Sequence, residues 1–204
     1  MDQWDSPAPS IGLPEANPLS ETKRDSVSTE KEQAVVTLGF QGCTLGHADR
    51  YAMDLISEAL NDMGSRLFLK IREELGLAYY VGTQNFAGRI PGCFTFYAGT
   101  AAKSAAQVEE ELTRQAKRLA KEGLTEDELR RAKAKLTGHK KIARQDLGSV
   151  AFATCMDELL GLGYNHHAEE VIRIESVTLE QVRDVANRYF GTEQFATAVS
   201  LPSN

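Results

Sequence analysis

The sequence predicts an α+β domain, a two-layer sandwich with a largely antiparallel sheet and its helices gathered on one face. Three observations lead there. A β-branched and aromatic run, AVVTLGFQG from Ala34 to Gly42, opens the regular part. Two further β-rich runs, AYYVGTQNF and GCFTFYAGT, are joined by a turn from Gly88 to Gly92 and read as a hairpin. The chain then turns helical for most of its remaining length and finishes on an alternating strand, QFATAVSL.

Composition bounds the function. With 204 residues, 42% hydrophobic and 25% charged, the chain is long enough to bury one sizeable core, so a single folded domain is expected. A net charge of -6 supplies no broad positive field, which argues against nucleic acid and acidic membrane surfaces as partners. No apolar run approaches the roughly 18 residues of a membrane span, and no basic-then-apolar leader opens the sequence. The chain reads as soluble, with no compartment indicated. Cys43, Cys93 and Cys155 lie far apart without C-x-x-C spacing and read as small buried or half-buried residues.

Taken in order, residues 1–33 combine most of the prolines with Ser, Glu and Lys, and read as a linker or disordered N-terminal arm. Trp4, Ile11 and Leu13 are isolated apolar residues within it. The folded domain is expected over 34–204. From His47 to Met63, Ala52, Leu55, Ile56, Ala59, Leu60 and Met63 recur at helical spacing. Ser65 restarts a short helix through Glu74, and Gly76 supplies its stop before the hairpin. After Thr100, Val108, Leu112, Ala116 and Leu119 mark a helix that Gly123 ends. Thr125-Glu126-Asp127-Glu128 is a capping box opening the next, in which Gly138 costs only about 1 kcal/mol and need not break it. Asp146 caps LGSVAFATCMDELLG, a short helix follows near Ala168 to Ile174, and Thr178-Leu179-Glu180-Gln181 is a second capping box.

The candidate chemistry is sparse. His166-His167-Ala168-Glu169-Glu170 approaches His-x-x-Glu-His but places a glutamate last, and its surroundings read as a polar helix start. Arg130, Arg131, Lys133, Lys135, Lys140, Lys141 and Arg144 spread over more than one helical face among acids, as on a solvated surface. Neither a G-x-S-x-G nucleophile nor a G-x-x-x-x-G-K-[ST] phosphate loop is present. Two polar residues remain, Arg72 at the end of an amphipathic segment and Tyr79 at the start of the hairpin. A guanidinium and a phenol are poor proton shuttles near neutral pH, yet both donate hydrogen bonds to a carbonyl or a developing oxyanion. A plain structural account also stands: Arg72 favours the dipole of its helix end, and Tyr79 and Tyr80 alternate across a strand.

From Gly64 to Thr100 the sequence resembles the pitrilysin and mitochondrial-processing-peptidase family of inverted-motif zinc peptidases. The matching pieces are Ser65-Arg66-Leu67-Phe68, Arg72-Glu73, Gly76-Leu77-Ala78-Tyr79 and the G-x-F-x-F-Y-A-G-T run from Gly92 to Thr100. The likeness continues through EGLTEDELRRAKAKL and RIESVTLEQVRDVANRYF. It implies the LuxS/MPP-like metallohydrolase fold and the C-terminal half of a clamshell enzyme. In that family a zinc-bearing, homologous N-terminal half carries His-x-x-Glu-His, binds the metal and activates water. The C-terminal half contributes an arginine and a tyrosine, here Arg72 and Tyr79, which hold the peptide substrate and stabilise the tetrahedral intermediate. The zinc motif is missing from this sequence, so the resemblance implies no metal or cofactor in this chain, zinc in its partner, and no activity alone. Two other uses of the fold stay open, a noncatalytic scaffold subunit and a module that binds extended peptides. A homo-oligomer of the isolated half is a further expectation, since its partner-facing surfaces would be uncovered.

Overall fold

The computed structural model describes Gly12 and residues 17–203. Its elements are β1 (Lys23–Thr29), β2 (Ala34–Gln41), α1 (Arg50–Leu60), α2 (Arg66–Phe68) running into a π-helical turn (Leu69–Glu74), β3 (Ala78–Phe86) and β4 (Cys93–Thr100). There follow α3 (Ala105–Glu122), α4 (Glu126–Ala143), α5 (Leu147–Leu159), α6 (His166–Ser176), α7 (Leu179–Phe190) and β5 (Ala196–Pro202).

Alternation in β2 decides which way the sheet faces. Ala34, Val36, Leu38 and Phe40 are buried while the residues between them are half-buried, so one face meets the helices and the other does not. The five strands lie in the order β1-β5-β2-β4-β3. Pairing is antiparallel between β2 and β4, β2 and β5, and β3 and β4, and parallel between β1 and β5. Helices α1, α3 and α7 pack against the covered face, α4 packs on α1 and α6, and α5 is held through α6. At the centre, the rings of Phe94 and Phe190 meet edge-on at 4.8 Å between centroids, and Phe40 and Phe96 complete the aromatic cluster. Such pairs add about 0.5–1.5 kcal/mol each beyond the area they bury.

Most sequence signals have their expected geometry. Both capping boxes form, with the Thr125 hydroxyl accepting from the Glu128 N–H and the Thr178 hydroxyl from the Gln181 N–H. Helix α4 runs unbroken through Gly138, and Asp146 caps α5 by accepting from Ser149 N–H at 2.6 Å.

Three features differ from expectation. Lys23–Thr29, placed in the arm by composition, is an edge strand whose hydrogen bonds go to β5. Its sequence, KRDSVST, is exposed almost throughout, so the strand is made by its backbone and leaves no apolar pattern to read. The other residues of the arm that held its apolar members, Trp4, Ile11 and Leu13, lie outside the described residues. The short helix is α for one turn only. From Leu69 it widens into a π-helix, with Leu75 N–H donating to Lys70 C=O at 3.1 Å, and beyond Gly76 the Leu77 N–H closes the end by donating to Ile71 C=O at 3.0 Å. Helix α5 buries none of its residues: Leu147, Phe152 and Leu159 are 83%, 67% and 72% exposed. Its apolar residues point away from the chain that carries them.

Candidate functional site

Three anchors position the segment that carries Arg72. Ser65 begins it, its hydroxyl accepting from the Phe68 N–H at 3.1 Å. Arg66 then ties it to α4, donating from Nε to Glu128 Oε1 at 2.7 Å and from a terminal nitrogen to Oε2. Glu128 Oε2 also accepts from the Thr125 N–H at 2.8 Å, so one carboxylate serves both the helix cap and the ion pair. Burial pushes the Glu128 carboxyl up, but hydrogen bonds from Arg66 and Thr125 outweigh it and hold the group below its ordinary value. Ile71, fully buried, is the third anchor.

The π-helical turn ends at a left-handed residue. Gly76 has φ of +60°, a conformation that a side chain would disfavour, and its N–H donates to Arg72 C=O at 3.2 Å. Two residues later β3 begins. Arg72 and Tyr79 therefore stand on either side of one tight junction between a π-helix and a strand, a setting in which irregular backbone is often functional. The Arg72 guanidinium lies 5.0 Å from the ring centroid of Phe68 and makes only a loose 4.0 Å contact with Glu73. Its donors are otherwise free among the described residues. Tyr79 is 55% exposed, and no hydrogen bond or ion pair joins it to Arg72 among the described residues.

A β-bulge governs the tyrosines. Ala78 pairs with Thr100 and Tyr80 with Gly99, so Tyr79 is one extra residue opposite no partner. From Val81 onward, β3 alternates in step with β4, which places Tyr80 on the uncovered face and would turn Tyr79 toward the helices. The bulge resets the alternation: Ala78 is buried, while Tyr79 and Tyr80 are both exposed. The two do not alternate across the sheet. Sequence reasoning expected Tyr79 and Tyr80 to alternate and missed the bulge, because it depends on the pairing of Tyr80 with Gly99 on another strand.

On the same uncovered face a broad groove of about 940 Å³ runs over β1, β5, β2 and β4, floored by small residues including Gly39, Ala196 and Ala198. Neither Arg72 nor Tyr79 lines it. Among the described residues, none of the His, Cys, Asp and Glu side chains gather in threes that could hold a metal. The residues nearest to a metal motif are each engaged elsewhere. His166 Nε2 lies 2.9 Å from the Tyr51 hydroxyl, His167 Nδ1 lies 2.9 Å from Asp157, and Glu170 accepts from Lys140 at 2.7 Å and Arg50 at 3.3 Å. Burial, with Arg173 and Arg50 nearby, holds the His166 imidazole below its ordinary value. These residues do not fit a zinc ion; they fasten α6 to α1, α4 and α5.

The fold is that of the C-terminal domains of M16 peptidases. A crystal structure of a protease from Helicobacter pylori superimposes with a TM-score of 0.87 at 20% identity, covering 98% of this chain and 48% of that one. The M16 inactive domain from Pseudomonas fluorescens gives 0.81 at 19% identity, covering 96% and 47%. Residues 1–136 match the peptidase M16 inactive domain, and the chain belongs to that family. It is also 32% identical over 188 residues to the uncharacterized zinc protease YmxG of Bacillus subtilis (strain 168), a match spanning 91% of this chain and 46% of YmxG. The chain thus spans less than half the length of the curated relatives it matches. Inactive M16 domains pair with a homologous catalytic half in zinc proteases, and the zinc resides in that half. No helix among the described residues is long and apolar enough to cross a membrane.

Proposed function

We propose that this chain is the substrate-holding half of a two-part zinc endopeptidase. In this reading a bound peptide lies across the junction of the π-helical turn and β3. Arg72 and Tyr79 donate to the carbonyl of the bond to be cleaved, favouring the charge that develops on its oxygen. The hydrolytic chemistry belongs to the zinc-bearing half, and this chain alone is inactive. The observation that carries the reading is the bulge, which spends a residue of the ladder to expose Tyr79 close in sequence to an arginine whose donors are largely unspent. A scaffold role gives no reason for either feature. The outward apolar side of α5 supports the further expectation that the isolated half self-associates.

The test uses this chain combined with a zinc-bearing M16 half and an internally quenched peptide. Arg72→Ala and Tyr79→Phe are each expected to lower kcat/KM by on the order of 10²–10³, as loss of one such donor typically does, with the thermal midpoint of this chain unchanged. Unaltered kcat/KM in both variants would overturn the assignment.

A further inference from the structure

Tyr80 has no part in the proposed chemistry, yet its ring sits in close contact with the strand beside it. Its phenol end lies against Gly99, its partner across the ladder, so closely that a methyl group on Gly99 would overlap Cε1 and Cζ and come within 2.8 Å of the hydroxyl. The Tyr97 ring stands beside it, with centroids 6.2 Å apart. Gly99 therefore serves as a seat: a larger residue there requires the ring to move. On the other side of the bulge, the Thr100 hydroxyl donates to Leu77 C=O at 2.5 Å, fixing the residue next to Ala78. The extra residue, Tyr79, is thus clamped between two fixed points, one at Leu77 and one at Tyr80.

That clamp has a directional consequence. In an unbulged ladder with Tyr80 opposite Gly99, Tyr79 would sit opposite Thr100, whose side chain is fully buried, and would face the helices. Only while the two-for-one pairing persists does its phenol point outward. The Thr100–Leu77 hydrogen bond on one side and the Tyr80 ring over Gly99 on the other mark where the extra residue falls.

We infer that Tyr80, seated on Gly99, is a positioning residue that pins the bulge and so holds the Tyr79 phenol on the uncovered face. The inference rests on the proposed role of Tyr79 and names the side chain on which that role depends. Tyr80 touches no reacting atom in this scheme; it acts through the register of β3.

Two measurements test it, and they fail separately. The first is made on this chain alone by NMR. The native chain should show contacts between the Gly99 Hα protons and the Tyr80 ring protons, and the cross-strand contacts Ala78–Thr100 and Tyr80–Gly99. In Gly99→Ala, and in Tyr80→Ala, which adds no bulk, those contacts should give way to a shifted register, and Tyr80→Phe should restore them. Retention of the native register in both alanine variants overturns the inference. The second measurement is kcat and KM with the zinc-bearing half supplied. Tyr80→Ala and Gly99→Ala should lower kcat by no more than Tyr79→Phe does, on the order of 10²–10³, with KM nearly unchanged. In a Tyr79→Phe background, Gly99→Ala should add nothing, because the group it displaces is already gone. Full activity of Gly99→Ala while Tyr79→Phe is slow overturns the positioning role and leaves the role of Tyr79 standing. Full activity of both overturns the role of Tyr79 and the positioning role with it.

Discussion

The two faces of the sheet are built from different residues for different ends. The covered face is closed by Phe40, Phe94, Phe96 and the Phe190 that α7 lays against them, a cluster completed within the chain. The uncovered face carries glycine, alanine, threonine and tyrosine, with Tyr80 lying on Gly99 and a groove floored by Gly39, Ala196 and Ala198. Helix α5 belongs with the second group, since its large apolar residues face outward. One surface supplies the stability of the fold. The other is closed by no helix among the described residues, and Tyr79 is exposed next to it in β3.

This contrast breaks most readily at the covered face. Phe96→Ala empties a fully buried site and is expected to cost about 3–5 kcal/mol in urea unfolding, whereas Tyr97→Ala, its neighbour on the other face, should cost below about 1 kcal/mol. Equal losses would show that both faces hold the fold alike. Next in size is the anchor under Arg72. Arg66→Ala leaves Glu128 buried without its partner and is expected to destabilise the chain by about 3 kcal/mol in the same measurement.

The outward helix sharpens the comparison from the other side. Sedimentation of the isolated chain should show concentration-dependent association, and a Leu147→Glu, Phe152→Glu double variant should be monomeric with its urea midpoint nearly unchanged. A monomeric native chain at all concentrations removes the need for a partner at α5. The smallest effect is electrostatic. The Glu128 carboxyl titrates below its ordinary value of 4.5 in the folded chain, so its contribution is fully present above the unfolded value and is lost as pH falls through the lowered one. The stability gap between native and Glu128→Gln should therefore be constant near neutral pH and close on acidification below about 4.5. A gap that stays open in acid would mean that the capping bond alone, and not the charge, supports α4.

What could be read from sequence divides along the same line. Period-two alternation in β2, helical spacing in α1 and α3, and the two capping boxes are local signals of burial or backbone satisfaction, and each corresponds to an element in place. β1 escaped because an exposed edge strand, held by its backbone pairing and by polar side chains such as Arg24 and Thr29, has no apolar pattern. The π-helical turn escaped because one extra residue in a helix leaves its apolar spacing almost intact. Residue chemistry and the family pattern pointed to Arg72 and Tyr79 as candidates, while the bulge beside them depends on the pairing of Tyr80 with Gly99 on the next strand, which no local pattern encodes. The Asp146 cap marked the start of α5, but no pattern within a chain says whether the surface that covers a helix belongs to that chain.

The parallel pairing of β1 with β5 also sets how the domain bears load. Lys23 lies beside Ala196 and Thr29 beside Pro202, so a pull that enters at Lys23 and leaves at Pro202 acts at opposite ends of the paired strands. The hydrogen bonds between them are then strained together, in shear, instead of opening one after another from an end. Tension along the chain meets a lap joint, and β1 and β5, at the edge far from β3, can transmit it without peeling the strand that holds Tyr79.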